Sequence, residues 1–382
     1  MKILYLTYHG FSDASGISKK ILAQVEGLRQ NGHDVHLCYY DFTPDGHRCR
    51  FIDDRVICDY GKGVWAALRQ RVSYDCIFDY CAKESIQLVY ARSFHNASPW
   101  LIHLFDELKS IGIRSVTEIP TYPYDKEYET LPLKYRMGLW VDRIFRRRLV
   151  SRMEAIVTFS SVKKIFGKRT INISNGVDFS KIAVRERQGM DSGKQINIIG
   201  VAEVHPWHGF DRMIAGIGEY YKNGGEKNVC FHIVGGVGHN EMYGTDKVPG
   251  FKPLIDKYGI SEHVVFHGQL FGDALDKVFA KSSFAVGSLA RHRSGVSEIK
   301  TLKNREYASR GLPFIYSEND ADFDDRPYVF KVPADESPVD VAAVLNFMQG
   351  VSMSSLEIRA SIAHLSWKRQ MQIVIDELEE KR

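Results

Sequence analysis

Short apolar runs alternate with segments of helical period along most of this chain, and that alternation leaves few folds open. The chain opens with a strand over 2–7, the loop HGFSDASG, a helix over 17–31 ended by Gly32, and a second strand over 34–40. A strand–helix–strand unit of this kind needs a right-handed crossover, and it puts the loop after its first strand at the carboxyl edge of a parallel sheet. The pattern recurs through strands at 56–59, 88–91 and 115–119, and again beyond residue 195 through strands at 195–202, 229–234, 264–267, 284–287 and 313–316. A chain of 382 residues is too long for one ordinary core. The polar run KIAVRERQGMDSGK at 181–194 reads as a linker, so the expectation is α/β with two domains, each built on a mostly parallel sheet. They span 1–185 and 186–365, and an amphipathic final helix within 366–382 returns to the first.

Composition excludes several classes of function. The formal charge of +4 is small for this length and shows no concentrated basic face of the kind a nucleic-acid binder carries. No apolar run approaches the ~20 residues of a membrane span, and MKILYLTYHG turns polar too soon for a secretory leader. Cysteines 38, 49, 58, 76, 81 and 230 form no CxxC spacing, which fits reduced thiols in a cytoplasmic protein and no metal site.

The stretch SGVSEIKTLKNREYASRGLPFIYS, 294–317, carries the densest chemistry. It reads as a helix from near Ser297, a turn at Gly311 and a buried strand. Glu298 and Glu306 stand eight positions apart, which on a helix is about 80° around the axis and about 12 Å along it. The two carboxylates then share one side, spaced to hold two hydroxyl-bearing ends of a long ligand with an anion at the helix N-terminus between them. Lys300 and Lys303 lie in the first turns, and Arg291 and Arg293 just before them. The competing reading is a solvated mixed-charge face. Elsewhere, Gly16 with Ser15 and Ser18 marks either a phosphate approach or a plain tight turn. Arg92 and His95 stand at the carboxyl end of a strand, the usual place for ligand contacts, and Glu118 closes the next strand ahead of the Pro- and Tyr-rich loop 120–132. The helix 134–152 carries Arg143, Arg146, Arg147, Arg148 and Arg152, with Trp140, Ile144 and Leu149 expected to bury. Its basic face reads equally as a rest for an anionic bilayer on the inner side of a membrane or as a solvated face.

Taken together, these motifs resemble the retaining GT-B glycosyltransferases, specifically glycosyltransferase family 4 (glycosyl transferases group 1). Glu298 through Glu306 matches the E-x7-E motif, and Ala308 to Pro313 its small-residue, Gly-x-Pro strand entry. Asn175-Gly176-Val177-Asp178 matches the NGVD box, and His208-Gly209-Phe210-Asp211 stands in the place of KGxD. The resemblance implies two Rossmann-like domains facing across a cleft. It also implies transfer from a nucleotide-sugar (UDP- or GDP-sugar) with retention at the anomeric carbon, and no obligatory cofactor or metal. Glu298 would contact the transferred sugar, and Glu306 the ribose hydroxyls. Backbone groups over Gly268–Leu270 would meet the base, and Gly16 would line the diphosphate. His95 lies where the family has a sugar-contacting histidine. The acceptor, a glycan or lipid-linked glycoconjugate of cell-surface polysaccharide biosynthesis, falls to the first domain with Arg92 and Glu118.

One departure stands out. The family's diphosphate-binding Arg and Lys are replaced here by Glu203 and His208, so the compensating charge falls to Arg291, Arg293, Lys300 and Lys303. A transferase, a non-catalytic GT-B partner that binds a glycan or a sister enzyme, and a GT-B epimerase or phosphorylase are the readings that remain.

Overall fold

The computed structural model describes residues 1–12, 15–93, 95–125, 133–185 and 195–380. The chain divides into two compact units, Met1–Gly176 with Trp367–Arg382, and Val177–Ser366. The division falls at Gly176 rather than at 185. Most of the expected linker, 186–194, lies outside the described residues, but Arg185 is buried and donates to the Ser282 carbonyl.

The first unit alternates β1 (Lys2–Leu6), α1 (Gly16–Gln30), β2 (Asp34–Phe42), β3 (Arg48–Ile52), β4 (Arg55–Gly61), α2 (Gly63–Val72), α3 (Asp75–Lys83), β5 (Leu88–Arg92), α4 (Pro99–Ser110), β6 (Arg114–Ile119) and α5 (Leu133–Val150). Strands β7 (Ile156–Thr158), β8 (Lys164–Ile165) and β9 (Lys168–Asn172) follow. The strand order is β4-β3-β2-β1-β5-β6-β7-β9-β8, parallel from β2 through β9, with β3, β4 and β8 antiparallel. Of the β2–β3–β4 meander at one edge, β3 has no counterpart in the sequence expectation. The strand order reverses between β1 and β5, so the loops after those two strands open at the switch point, where open α/β sheets bind ligands.

The second unit is more regular. Its elements are β10 (Ile196–Val201), α6 (Phe210–Lys222), β11 (Val229–Val234), α7 (His239–Tyr243), α8 (Phe251–Tyr258), β12 (Val264–Gly268), α9 (Gly272–Lys281), β13 (Phe284–Val286), α10 (Leu302–Ser309), β14 (Phe314–Tyr316), β15 (Val329–Lys331), α11 (Val341–Gly350) and α12 (Ser355–Ser361). The six strands are all parallel in the order β12-β11-β10-β13-β14-β15. That is the doubly wound Rossmann order, with its switch point between β10 and β13. Runs such as Ile198, Ile199, Phe231 and Ile233 are fully buried, as strands covered on both faces require.

The last helix, α13 (Trp367–Glu379), belongs to the first unit, where Met371, Val374, Ile375 and Leu378 join the core formed with α1. Trp367 explains the glycine of the NGVD box. A Cβ on Gly176 would stand 2.4 Å from its indole ring.

Two expectations are overturned. The helix thought to start near Ser297 starts at Leu302. Residues 297–299 are extended instead. Asn319 donates to the Ser297 carbonyl at 2.7 Å and accepts from the Ile299 N–H at 3.0 Å. The β-branched side chains of Val296, Ile299 and Thr301 suit an extended segment better than a helical turn. The second correction concerns α5, where Trp140 and Ile144 are exposed rather than buried, although Leu149 does pack inward. α5 faces the sheet through Leu139 and Val150, which leaves its opposite side uncovered.

Candidate functional site

In the second unit, three loops meet at the carboxyl end of the sheet. Leu289 N–H donates to the His208 carbonyl at 2.9 Å, which ties the loop after β13 to the loop after β10. Ser317 N–H donates to the Ser288 carbonyl at 3.0 Å, which adds the loop after β14. Gly209 makes the first approach possible. Its φ is +64°, and a Cβ there would meet the Cβ atoms of Leu289 and Ala290 at 2.9 Å.

Arg291, Lys303, Glu318 and His208 gather where these loops converge. Glu318 is 2% exposed, and neither of its carboxylate oxygens accepts a hydrogen bond among the described residues; the Lys303 Nζ is likewise buried without a partner. Burial pushes the Glu318 carboxyl up to about 7, against the opposing pull of Arg291 and Lys303. Burial and the Arg291 charge push the Lys303 ammonium down to about 7, with Glu318 working the other way. Such a pair, desolvated and unsatisfied in a loop junction at the switch point, marks a place where a ligand's polar groups complete the bonding. Phe210 lies beneath, its ring centroid 5.9 Å from the Lys303 Nζ, and Trp207 stands 5.8 Å from the Arg291 guanidinium.

His208 takes no charge here. Burial, then the Lys303 and Arg291 charges, drive its imidazole far below the ordinary range, and its Nδ1 accepts from the His205 N–H at 3.0 Å. Arg293 is already spent: it clamps Asp211 at 2.7 and 2.9 Å and also pairs with Glu336. Asp211, the last residue of the HGFD segment, therefore anchors the loop after β13. Arg305, wholly buried on α10, does the same for the loop after β14 by gripping Asp320 and Asp322.

Glu298 and Glu306 do not share a helix face. Glu298 is exposed on the extended segment, whereas Glu306 lies in α10 and accepts from Arg310 at 3.0 and 2.9 Å. Lys300 is half-buried on the same extended segment. Gly268 ends β12 with φ +67° and accepts from the Gly235 N–H, and Leu270 packs against this unit's core.

In the first unit the candidates lie around the other switch point. Gly16 is the first residue of α1, capped by Ser15, with open space where a Cβ would project. Arg92 and Glu118 sit opposite one another at the ends of β5 and β6 and form a buried ion pair. Glu118 also accepts from Gln24 and from Tyr90 at 2.6 Å each, and Lys20 stands 3.8 Å away. Burial alone would raise this carboxyl, yet Arg92, Lys20 and the two hydrogen bonds hold it below the usual carboxylate range. The pair is thus an internal brace. His95 has φ +52°, a strained value for a histidine, and stacks on Tyr124 with ring centroids 3.7 Å apart. Burial pushes its imidazole down to about 4, so it presents a neutral ring. Of the loop 120–132, residues 126–132 lie outside the described residues.

Glu318 escaped the sequence reading. Its signal was positional, since Ser317-Glu318-Asn319-Asp320 directly follows a buried strand of a parallel sheet, and polar residues there are candidates whatever motif surrounds them. Among the described residues no cluster of His, Cys, Asp or Glu fits a metal ion, and all six cysteines are free.

No family model and no curated sequence matches this chain. Solved structures do. A trehalose-6-phosphate synthase, OtsA, superposes with TM-score 0.60 at 12% identity, covering 99% of this chain and 98% of that one. WaaG, a glycosyltransferase involved in lipopolysaccharide biosynthesis, gives 0.56 at 12% identity over 99% of both chains. AviGT4, a glycosyltransferase involved in avilamycin A biosynthesis, gives 0.53 at 13% identity over 99% and 97%. The chain has the GT-B fold of these glycosyltransferases.

Proposed function

We propose that this chain is a retaining glycosyltransferase that moves a sugar from a nucleotide-diphosphate-sugar, a UDP- or GDP-sugar, to a glycan or lipid-linked acceptor. We place it in the cytoplasm, serving cell-surface polysaccharide biosynthesis. The observation that carries the reading is the unsatisfied Lys303–Glu318 pair beside Arg291 at the switch point of the second unit. A diphosphate supplies what Lys303 and Glu318 lack among the described residues: anionic oxygens for the ammonium, and an acceptor for the proton that Glu318 carries. Support also comes from the fold it shares with glycosyltransferases, one of them E. coli trehalose-6-phosphate synthase bound with UDP-2-fluoro glucose, TM-score 0.57 at 13% identity.

The chemistry follows from charge. As the bond between the anomeric carbon and the donor phosphate breaks, the electron pair leaves with the nucleoside diphosphate, and Lys303 and Arg291 offset the growing negative charge. The acceptor hydroxyl forms its bond to the anomeric carbon on the same face and gives its proton to the departing phosphate oxygen. Glu298 orients the sugar and Glu306 the ribose hydroxyls. Because His208 is neutral and Arg293 already paired, the phosphate charge rests on Arg291 and Lys303, with Lys300 behind them.

Calorimetric titration with UDP, GDP and ADP tests the reading. A transferase binds one of them at micromolar level and slowly hydrolyses the matching sugar donor. Absence of binding to all three would favour the non-catalytic partner reading, which Glu203 in a cation's place supports. Full transfer with unchanged donor affinity in Glu298→Ala would remove that residue from the site.

A further inference from the structure

Five of the six cysteines lie in the first unit, and the β2–β3–β4 edge of its sheet gathers them. Cys38 is on β2, Cys49 on β3, Cys58 on β4, and Cys76 and Cys81 are on α3. They are not equivalent. Cys38, Cys49 and Cys81 are buried, and Cys49 is hydrogen-bonded to Asp59. Cys58 and Cys76 are each half-buried, and their two thiols are hydrogen-bonded to one another. Tyr60 fixes that meeting. Its hydroxyl donates to the Ser73 carbonyl at 3.3 Å, where α2 gives way to α3, and stands 3.8 Å from the Cys76 Sγ.

A second observation separates this pair from thiols that merely pack. Arg50 on β3 stands opposite Cys58 in the strand register and is 1% exposed. Its Nη1 donates to the Thr7 carbonyl at 3.1 Å, and its Nε has no hydrogen-bond partner among the described residues. The groups around it that can turn negative are thiols and phenols, Cys38, Tyr60, Tyr8 and Cys76, rather than carboxylates. A buried cation without a counter-ion is costly, and it favours any anion that forms beside it. Burial pushes the Cys76 thiol up to about 11, while the Arg50 charge pulls it the other way. The thiol therefore rests protonated, and a thiolate formed there during reaction meets a waiting guanidinium.

We infer that Cys58 and Cys76 form a modification site, a dithiol that hydrogen peroxide closes into an intrachain disulfide joining β4 to α3. The Cys58 sulfur attacks one peroxide oxygen, the O–O bond breaks, and the departing hydroxide leaves as water with the thiol proton. The product is a sulfenic acid on Cys58. The Cys76 sulfur then attacks the Cys58 sulfur, the S–O bond breaks, and a second water leaves with the Cys76 proton. Two electrons pass from the sulfurs to the peroxide, which is reduced to two waters. Arg50 offsets the negative charge on Cys76 in the second step. The site goes beyond the sugar-transfer reading and does not depend on it.

The test uses the full chain, reduced beforehand, and needs no sugar donor. Hydrogen peroxide is added in small excess, free thiols are counted in denaturant with dithionitrobenzoate, and non-reducing peptide maps are read by mass spectrometry. The count is expected to fall by two from the six of the parent, with Cys58 and Cys76 in one linked peptide, and dithiothreitol should restore it. Cys58→Ser and Cys76→Ser should each abolish the paired loss. Serine is close to cysteine in size, so both variants should melt where the reduced parent does. Cys230→Ser, in the other unit, should lose two thiols as the parent does. A count that stays at six overturns the inference, as does oxidation to sulfinic or sulfonic acid without a link. A link through any other cysteine or between two chains overturns it too, and so does a paired loss that survives either serine variant at 58 or 76.

Discussion

Glu118 and Glu318 each stand at or just past the carboxyl end of a parallel strand, each almost wholly buried, each near an arginine and a lysine. They end in opposite states. Glu118 accepts hydrogen bonds from Arg92, Gln24 and Tyr90 and stays ionised; Glu318 accepts none on its side-chain oxygens among the described residues and is pushed toward protonation. A buried carboxylate whose lone pairs are filled is a structural brace. One left open holds its site at a cost in stability that a ligand can recover. The contrast separates architecture from function more sharply than burial or sequence motif does.

The most damaging way to probe this contrast is Arg92→Ala. It strands the Glu118 carboxylate in the core of the first unit and should cost about 3–5 kcal/mol, read as a lowered denaturation midpoint in urea. Lys303→Met should do the reverse. It removes a buried cation that lacks a hydrogen-bond partner among the described residues, so stability should hold or rise, while nucleoside diphosphate affinity drops by about 1.5–3 kcal/mol, tenfold or more. If Lys303→Met instead unfolded the protein and Arg92→Ala spared it, the assignment of brace and site would have to be exchanged.

The pH dependence sharpens the comparison. Below neutrality the Lys303–Glu318 pair carries a net positive charge, because both groups are protonated; above it both have lost a proton and the pair is negative. Affinity for an anionic nucleotide should therefore fall as pH rises through about 7. Below about 7 stability follows the same sign. Because the folded Glu318 carboxyl lies above its unfolded value, its contribution is fully present below the ordinary carboxylate range and is lost as pH rises toward about 7. Glu318→Gln should flatten both slopes, measured by calorimetry and by melting across a pH series. The smallest effect is expected at Glu336→Gln. Arg293 and then His292 hold that carboxylate down to about 2 despite its burial, but its side chain is 59% exposed and solvent screens the pair. The cost should stay under about 1 kcal/mol. It should be present above the ordinary glutamate range and disappear as pH falls toward about 2.

Much of this molecule was legible in the amino-acid order. Strand–helix alternation marked both parallel sheets, and the apolar stripe of the last helix marked an element with a core to join. Arg291 and Lys303 were read as phosphate cations from their place before and within α10, and the structure puts both at the loop junction. What local pattern could not supply was each charge's partner. Arg293 looked like a phosphate cation too, yet Asp211, 82 residues away, has taken its guanidinium. Glu298 looked helical because the Glu, Lys and Arg of its stretch favour helix, but Asn319 holds its segment extended. Trp140 looked buried because it is apolar at helical spacing; only the packed helix shows that the other side faces the sheet.

Periodicity is a property of adjacent residues, so the sequence by itself determined the elements, their order and the switch-point logic that says where ligands approach. Whether a buried charge is satisfied is a property of groups brought together from distant positions. Its ionisation depends on the solvent it has lost and the partners it has met, and neither exists until the chain has folded. Tertiary structure alone therefore decided that Glu118 is a brace and that Glu318, which no motif singled out, is held open.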